Sequence, residues 1–136
     1  MVVHADTTFL VDTIRESRRG LDGPARTWLA EHAETSVAIS VFVLSEMLLG
    51  AELHAEPAKE RQRIREALGD MPVAIPDLRL ATTYARVCAD LQRRGVPTGT
   101  MDLLIACLAL NEEAALLTAN AKHFSDIHGL EVLEYR

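Results

Sequence analysis

The sequence has few aromatic residues, few cysteines and no excess of positive charge. Aromatic residues make up 4% of the 136 residues, so the core must be built from Leu, Val, Ile and Ala. The two cysteines, Cys88 and Cys107, lie in apolar stretches without metal-site spacing, which excludes a disulfide framework and predicts two reduced core thiols. The net charge of -6 lacks the basic balance of a generic nucleic-acid-binding protein. Any action on nucleic acid must therefore depend on local basic patches and specific chemistry.

Long hydrophobic runs are also missing. The longest, residues 103–110, is far shorter than the roughly 20 residues that a membrane-spanning helix needs. Residues 1–3 lead directly into His4 and Asp6, without the basic and then apolar segments of a signal peptide. These absences predict a soluble, cytoplasmic protein with no membrane partner. The length predicts one domain, residues 1–136, and the 49% of hydrophobic residues suffice for its core.

Short apolar runs alternate with longer amphipathic segments, which predicts an α/β fold with a mainly parallel sheet of about five strands. The predicted strands are residues 1–5, 37–39, 73–75, 114–118 and 130–133. The predicted helices are residues 7–18, 22–32, 41–54, a segment that begins after Pro57, 77–94 and 101–112, with a short turn or helix after Asn120. The residues expected to cap helices are Thr7 or Thr8, Asp22, Ser40 and Thr100.

Three acidic residues stand where this topology would bring side chains together. Asp6 follows the first strand, Glu46 lies in the apolar helical segment 41–50, and Asp102 lies at the start of a buried-looking helix. The carboxyl ends of parallel strands meet at one edge of the sheet, where ligands bind in such folds. Each acid taken alone also has a structural explanation: a strand-end or cap residue, a solvated helix position, and a first-turn acid favoured by the helix dipole.

The residue types of this set point to a divalent cation. The strand 114–118 delivers Thr118 and Asn120 to the same edge. Carboxylates brought together raise one another's pKa, and a cation removes that cost. Ligand sets made only of oxygen favour Mg²⁺, with Mn²⁺ as a substitute. Mg²⁺ that keeps several waters can activate one of them and neutralise charge on a phosphate.

At these residues the chain resembles the PIN-domain nucleases, and most closely the toxin half of VapBC-type toxin–antitoxin pairs. The matching segments follow the family's order and span nearly the whole chain: VHADTTFL at 3–10, IS through SEMLLG at 39–50, GTMDLLIA at 99–106, and LTAN at 117–120 with Phe124. The resemblance implies a PIN-like three-layer α/β/α domain. It identifies Asp6, Glu46 and Asp102 as metal-binding acids, Thr7 and Thr118 as hydroxyls beside them, and Asn120 as an assisting polar group.

The activity that the resemblance implies is Mg²⁺- or Mn²⁺-dependent endonucleolytic cleavage of RNA through a metal-bound water. The implied partners are an RNA substrate, a cognate antitoxin that blocks the site, and a second copy of the chain in a homodimer. Two positions depart from the family pattern. Thr100 stands where many relatives carry a second acid, and His123 stands where many have Asp. With fewer acids, a second metal ion would be held weakly.

Two other functions remain open. A catalytically inactive PIN-fold binding module that partners another protein would explain the missing acids at Thr100 and His123, although Asp6, Glu46 and Asp102 count against it. A metal phosphatase is the second alternative. The chain lacks the Asp-x-Asp pair after the first strand that marks the aspartyl-phosphate type.

Several further residues carry weaker signals. We expect Asp12 on the surface, His4 as a satisfied strand histidine, and Trp28 in the core or at an interface; His123 could contact substrate or antitoxin. An antitoxin would suit either an apolar surface of Phe42, Met47 and Leu48 or the basic helices. The clustered basic residues fit either a solvated surface or a rim that tracks phosphates: Arg15, Arg18, Arg19, Lys59, Arg61, Arg63, Arg65, Arg93 and Arg94.

Overall fold

A computed structural model describes residues 2–136 of the chain. Five strands alternate with six α-helices, and a short 3-10 helix, Ala121–His123, follows the fourth strand. The strands are β1 (Val2–Ala5), β2 (Ser36–Ser40), β3 (Val73–Ala74), β4 (Ala115–Thr118) and β5 (Val132–Glu134). The helices are α1 (Thr7–Arg19), α2 (Pro24–Glu31), α3 (Val41–Glu52), α4 (Pro57–Leu68), α5 (Arg79–Arg93) and α6 (Thr100–Asn111).

All neighbouring strands pair in parallel, in the order β3-β2-β1-β4-β5. This confirms the predicted α/β class and the mainly parallel sheet of about five strands. The chain moves from β1 to β2 and β3 on one side, and then crosses to β4 and β5 on the other. The order therefore reverses at β1, and ligands bind at such a switch point in open α/β sheets.

The core consists of the strands and the helix faces packed on them. Val3, Ala5 and Ile39 on β1 and β2 and Leu116 and Leu117 on β4 are fully buried. Several of the few aromatic residues are buried within this mainly aliphatic core. Trp28 is 8% exposed, with its ring edge-on to that of Phe9, so its predicted place in the core is confirmed.

Both cysteines are free thiols, as predicted. Cys107 is fully buried on α6, and burial raises the pKa of its thiol to about 11. Cys88 is half-buried and packs against the core. His4 is also fully buried, with Nε2 2.9 Å from Glu112 Oε2. This pairing agrees with the expectation of a satisfied strand histidine, although Nδ1 has no hydrogen-bond partner among the described residues.

The cap predicted for α1 is wrong. Asp6, not Thr7 or Thr8, is the N-cap residue, and its Oδ1 accepts a hydrogen bond of 3.1 Å from the backbone N–H of Phe9. Asp6 has the extended backbone of a cap, whereas Thr7 already belongs to the first helical turn. The acid predicted to hold a ligand therefore also ends a strand and begins a helix.

Two other predicted caps are also wrong. Gly23 precedes Pro24 at the start of α2 and leaves Asp22 outside the helix, and Gly99 precedes Thr100, which is the first residue of α6. Ser40 caps α3 as predicted, and its hydroxyl accepts from the N–H of Val43 at 3.1 Å. A polar residue near a helix start therefore predicts the helix better than it predicts the cap position.

The predicted element ends differ from the observed ones by one or two residues, which is the usual uncertainty of such boundaries. Met1, predicted to begin the first strand, lies outside the described residues. The predicted helix 77–94 begins at Arg79 and ends at Arg93. No helix within residues 2–136 combines the length and the apolar character that a membrane crossing requires.

Two residues predicted on the surface are buried. Asp12 is 8% exposed, because Tyr135 from the far end of the chain packs over it and donates a hydrogen bond of 2.6 Å to its Oδ2. Met47 is 8% exposed within the core cluster. The predicted apolar surface of Phe42, Met47 and Leu48 is therefore wrong in its central residue.

Candidate active site

Asp6 lies at the carboxyl edge of the sheet, at the point where β1 passes into α1. Its backbone N–H donates to the carbonyl of Leu117 at 3.0 Å, which fixes the corner against β4. Its side chain is held as firmly, because Oδ1 accepts from the hydroxyl of Thr8 at 2.6 Å as well as from Phe9 N–H. The residue is 4% exposed. A strand end and a helix cap together give this carboxylate one orientation.

The environment of Asp6 opposes its negative charge. Burial raises its pKa, and electrostatic repulsion from Asp102 adds to the rise. Hydrogen bonds from Thr118, Thr8 and the Phe9 amide act against that rise without reversing it. Among residues 2–136 no Arg, Lys or His forms an ion pair with Asp6. A buried carboxylate in this position gains from an added cation.

Asp102 is the second acid at this edge. It lies in the first turn of α6, and its side chain is 38% exposed. Its Oδ2 lies 3.6 Å from His123 Nδ1, on the 3-10 helix that follows β4. Its charge is close enough to raise the pKa of Asp6. The edge therefore carries two acids, one buried and one open to solvent.

Glu46 reaches the same region from α3. Its side chain is half-buried, and Oε1 accepts a hydrogen bond of 2.5 Å from the hydroxyl of Thr7, the residue that follows Asp6. Within residues 2–136, however, no three or more His, Cys, Asp or Glu side chains are grouped closely enough to hold a metal ion. Asp102 therefore acts on Asp6 directly, Glu46 contacts the residue next to Asp6, and the three predicted acids form no closed ligand cage.

The two other predicted site residues differ in their placement. Thr118 is fully buried at the end of β4, beside Asp6, and its hydroxyl accepts from the N–H of Asn120 at 2.9 Å. The side chain of Asn120 is exposed. The main chain of this turn is thus ordered by Thr118, while the Asn120 amide faces solvent.

The donor set fits a hydrated magnesium ion. Asp6, Asp102 and Thr118 offer oxygen atoms only, which is the chemistry that Mg²⁺ and Mn²⁺ prefer. Mg²⁺ usually binds through one or two carboxylates and keeps several waters. A closed cage of three acids is therefore not required, and a cation at this place would offset the cost of the buried Asp6 charge.

Two clefts with basic residues border the acidic edge. One, of about 300 Å³, lies between α1, α3 and α4; Thr7 and Glu46 line one part of it, and Arg15 and Arg18 another. The second, of about 260 Å³, runs from the segment before α6 to the 3-10 helix and is lined by residues that include Asp102, Lys122 and His123. The chain is acidic overall, but cations lie on both sides of its acids.

The basic residues divide into paired and unpaired sets. Arg18 and Arg19 at the end of α1 form no ion pair within residues 2–136. On α4 three basic side chains form ion pairs with acids: Lys59 with Glu56, Arg61 with Glu52 and Arg63 with Glu60. The fourth, Arg65, donates to the side chain of Gln62. The basic residues of α4 therefore fit an ordinary solvated surface. Arg18 and Arg19 at the end of α1 are the better candidates for contacts with RNA phosphates.

Sequence reasoning missed the role of Thr8 beside Asp6. Thr8 was considered only as a possible helix cap. Its hydroxyl instead donates to the carboxylate of Asp6, two residues earlier in the chain. The same hydroxyl accepts from the N–H of Ala119, 111 residues away, at 3.2 Å. The second contact depends on the pairing of β1 with β4, so the local pattern gave no signal for it.

Comparison with known proteins agrees with this geometry. The family model described as the PIN domain matches residues 3–130. Ribonuclease VapC1 of Rickettsia felis is 37% identical over 101 residues, which cover 70% of this chain and 73% of that protein. The tRNA(fMet)-specific endonuclease VapC of Salmonella typhimurium is 26% identical over 99 residues, 73% of this chain and 75% of that protein. The crystal structure of VapBC2 from Rickettsia felis, bound to a promoter DNA fragment, superimposes with a TM-score of 0.89 at 25% identity over 98% of both chains.

Proposed function

The chain belongs to the PIN domain family, and on that premise we propose that it is a divalent-metal-dependent endoribonuclease, the toxin of a type II toxin–antitoxin pair. The observation that carries the proposal is the buried carboxylate of Asp6, which faces Asp102 at the carboxyl edge of the sheet with its pKa raised. The similarity to ribonucleases named VapC supports the RNase activity. The site of action would be the cytoplasm, where cellular RNA is available.

In this proposal Asp6 and Asp102 hold Mg²⁺, or Mn²⁺ in its place, and Glu46 completes the acidic set from α3. A divalent cation at such a site supplies a water of lowered pKa and neutralises charge on the phosphate. Thr8 and Thr118 hold the Asp6 carboxylate in place, and Thr7 holds Glu46. The exposed amide of Asn120 is free to orient water or the substrate.

The RNA backbone would approach along the two clefts. Phosphates are attracted by arginine and lysine even when a protein's net charge is negative, provided that the cations lie near the site. Arg15 and Arg18 on one side and Lys122 on the other meet this condition. They would position the backbone so that one phosphodiester lies at the acids.

The test is cleavage of total cellular RNA by the purified protein with Mg²⁺ or Mn²⁺, after any bound antitoxin has been removed. Discrete fragments should appear, and chelator should abolish them. Asp6→Asn should reduce the rate by at least about a hundredfold, since it removes the charge that binds the cation. The matched control is Asp70→Asn, because Asp70 is exposed and lies outside the site; it should retain the wild-type rate. Cleavage that survives both chelator and Asp6→Asn would contradict the proposal.

One observation favours the alternative of a catalytically inactive binding module. Residues 2–136 contain no closed group of three metal-binding side chains. If the wild-type protein and Asp6→Asn were both inert with either metal, the inactive module would become the better account. Thr100 and His123 would then stand at positions where an active enzyme of this family needs an acid.

We also propose an antitoxin partner, supported by the similarity to VapBC complexes. The cleft between α1, α3 and α4 is lined mostly by apolar atoms, including those of Val11 and Ile14, and ends near Arg18. It suits an amphipathic segment that carries an acidic residue. Val11→Asp should therefore prevent copurification of the toxin with its coexpressed antitoxin, whereas Val2→Asp, an exposed change on β1, should not.

A homodimer would cover apolar side chains that the monomer exposes. Leu53 is 79% exposed at the end of α3, and Leu78 is 91% exposed just before α5. Single exposed apolar residues are common, so their joint presence supports the dimer only together with a mass measurement. Light scattering should give about twice the mass of 15.0 kDa, and Leu53→Glu should shift the equilibrium toward the monomer.

A further inference from the structure

Tyr135 follows the last strand and packs beside the candidate active site. The residue is 8% exposed, and its ring meets that of Phe9 edge-on, with the ring centroids 4.9 Å apart. Its hydroxyl donates a hydrogen bond of 2.6 Å to Asp12 Oδ2. Tyr135 is therefore fixed both by packing and by a hydrogen bond to the middle of α1.

Asp12 is held in place as well. Arg136 Nη1 lies 3.2 Å from its Oδ2, and Arg15 Nη1 lies 3.5 Å from its Oδ1. Both cations therefore lie against the carboxylate that accepts from the phenol. Burial and the hydrogen bond to Asp12 raise the pKa of Tyr135, which therefore keeps its proton.

Thr8 connects this pair to Asp6. The Thr8 hydroxyl is close enough to the Tyr135 phenol to lower its pKa, against the larger rise from burial. Its one proton is donated to Asp6 Oδ1, while its oxygen accepts from Ala119 N–H. Because Asp6 Oδ1 receives both Thr8 and the Phe9 amide, the other carboxylate oxygen is left free of these two bonds.

We propose that Tyr135, anchored by Asp12, is a positioning residue for the Asp6 carboxylate and acts through the hydroxyl of Thr8. The inference rests on the proposed function, since it assigns to Asp6 the task of binding a divalent cation. In this role Tyr135 would occupy the space next to Thr8 and keep water out of it. A water in that space would offer the Thr8 proton a second acceptor, and Asp6 would lose one of the hydrogen bonds that fix its orientation, while those from Phe9 and Thr118 remain.

The experiment is a titration of the intact protein with Mn²⁺, without RNA, with free Mn²⁺ measured by electron paramagnetic resonance. Outer-shell partners of metal ligands typically contribute 10- to 100-fold in metal affinity or activity. Tyr135→Phe keeps the ring against Phe9 and should weaken Mn²⁺ binding about tenfold. The matched control is Tyr84→Phe, which removes the hydroxyl of the chain's other tyrosine and should change the affinity less than twofold.

A second pair of variants tests the link itself. Thr8→Val removes the hydroxyl and should weaken Mn²⁺ binding about tenfold or more, whereas Thr8→Ser retains it and should stay within about threefold of wild type. Thermal melting of each variant shows that it is folded. If Thr8 had only a structural role, the substitutions would lower the melting temperature, but Thr8→Val and Thr8→Ser would bind Mn²⁺ with the same affinity.

The outcomes separate the two proposals. Wild-type affinity in folded Tyr135→Phe or Thr8→Val would overturn the positioning role and leave the proposed nuclease intact. If the wild-type protein bound no Mn²⁺ in an Asp6-dependent way, the metal-dependent function would fail and the positioning role with it. Weaker binding in these two variants alone, with Tyr84→Phe and Thr8→Ser close to wild type, would establish the inference.

Discussion

The hydroxyl of Thr7 donates a hydrogen bond of 2.5 Å to Glu46 Oε1 and joins the first turn of α1 to the middle of α3. Thr7 is the residue after Asp6, so this bond connects Glu46 to the strand end that carries the buried acid. The bond also occupies one oxygen of Glu46. Glu46 thus contacts the first turn of α1, although no group of three metal-binding side chains is present within residues 2–136.

Thr7 should therefore be required for the full contribution of Glu46. Thr7→Val removes the donor at nearly constant volume and frees the Glu46 side chain, which should lower the cleavage rate roughly 10- to 100-fold. Thr7→Ser restores a hydroxyl at the same place and should recover most of the activity. Initial rates on a single RNA at saturating Mg²⁺ measure the difference, and equal rates for valine and wild type would refute this role of Thr7.

Asp6→Asn should stabilise the metal-free protein at neutral pH. The pKa of Asp6 is raised in the folded state above its ordinary value of 3.8, so the folded state binds this proton more tightly than the unfolded state. As the pH rises above about 3.8, ionisation of Asp6 therefore lowers the free energy of unfolding. The full loss is present at a pH above the pKa of the folded state. In EDTA at pH 7 the variant should melt roughly 2 to 5 °C higher than wild type.

The same measurement contains its own controls. Near pH 3 the carboxyl is protonated in both states, so the difference between wild type and Asp6→Asn should disappear. Addition of Mn²⁺ at pH 7 should raise the melting temperature of wild type and not that of the variant. If Asp6→Asn melted at a lower temperature than wild type at pH 7 in EDTA, the charged Asp6 carboxylate would stabilise the metal-free protein, and the prediction would be wrong.

His123→Asp should strengthen cation binding. Nδ1 of His123 lies 3.6 Å from Asp102 Oδ2, and the side chain is 62% exposed. An aspartate there would add a carboxylate beside Asp102, so we expect several-fold less Mn²⁺ to suffice for half-maximal cleavage, or about 1 kcal/mol of added affinity. The control is His128→Asp, which makes the same charge change at a histidine beside Asp90. An unchanged Mn²⁺ requirement in His123→Asp would contradict the account.

Cleavage products should carry a 5′-phosphate and a 3′-hydroxyl. The proposed site uses water as the nucleophile, and His123, the histidine near its acids, has its Nδ1 directed to Asp102. Attack by the RNA 2′-hydroxyl would need a base and an acid placed on opposite sides of the phosphate. End-labelling and mass spectrometry distinguish the products, and a 2′,3′-cyclic phosphate would contradict hydrolysis by water.

The fold was largely predictable because its signals are local. Alternation of apolar runs with amphipathic helices predicted the α/β class, and the apolar residues of β1 and β4 predicted that Asp6 follows one buried strand and Thr118 ends another. The position of Asp6 at the carboxyl edge then follows from parallel pairing alone. A cap role was one of the structural explanations given for Asp6, but Thr7 or Thr8 was predicted to cap α1. Asp6, Thr7 and Thr8 are all good cap residues, and the choice among them depends on backbone angles.

The remaining errors come from contacts between distant parts of the chain. Asp12 has the surroundings of a surface helix residue in the sequence, but Tyr135, 123 residues later, covers it. Met47 follows a charged residue and was predicted on the surface, yet it joins the core cluster. Contacts of this kind depend on how the elements are packed, and a local pattern does not contain them.

The most direct test of the central claim is the location of Mn²⁺ by anomalous diffraction from crystals of the protein soaked with the metal. The account predicts a peak between Asp6 and Asp102 at the short distance of carboxylate ligands, about 2.1 Å for Mg²⁺ and slightly more for Mn²⁺, and no such peak in Asp6→Asn crystals. A well-occupied Mn²⁺ site elsewhere on the chain, with none at these two acids, would contradict it.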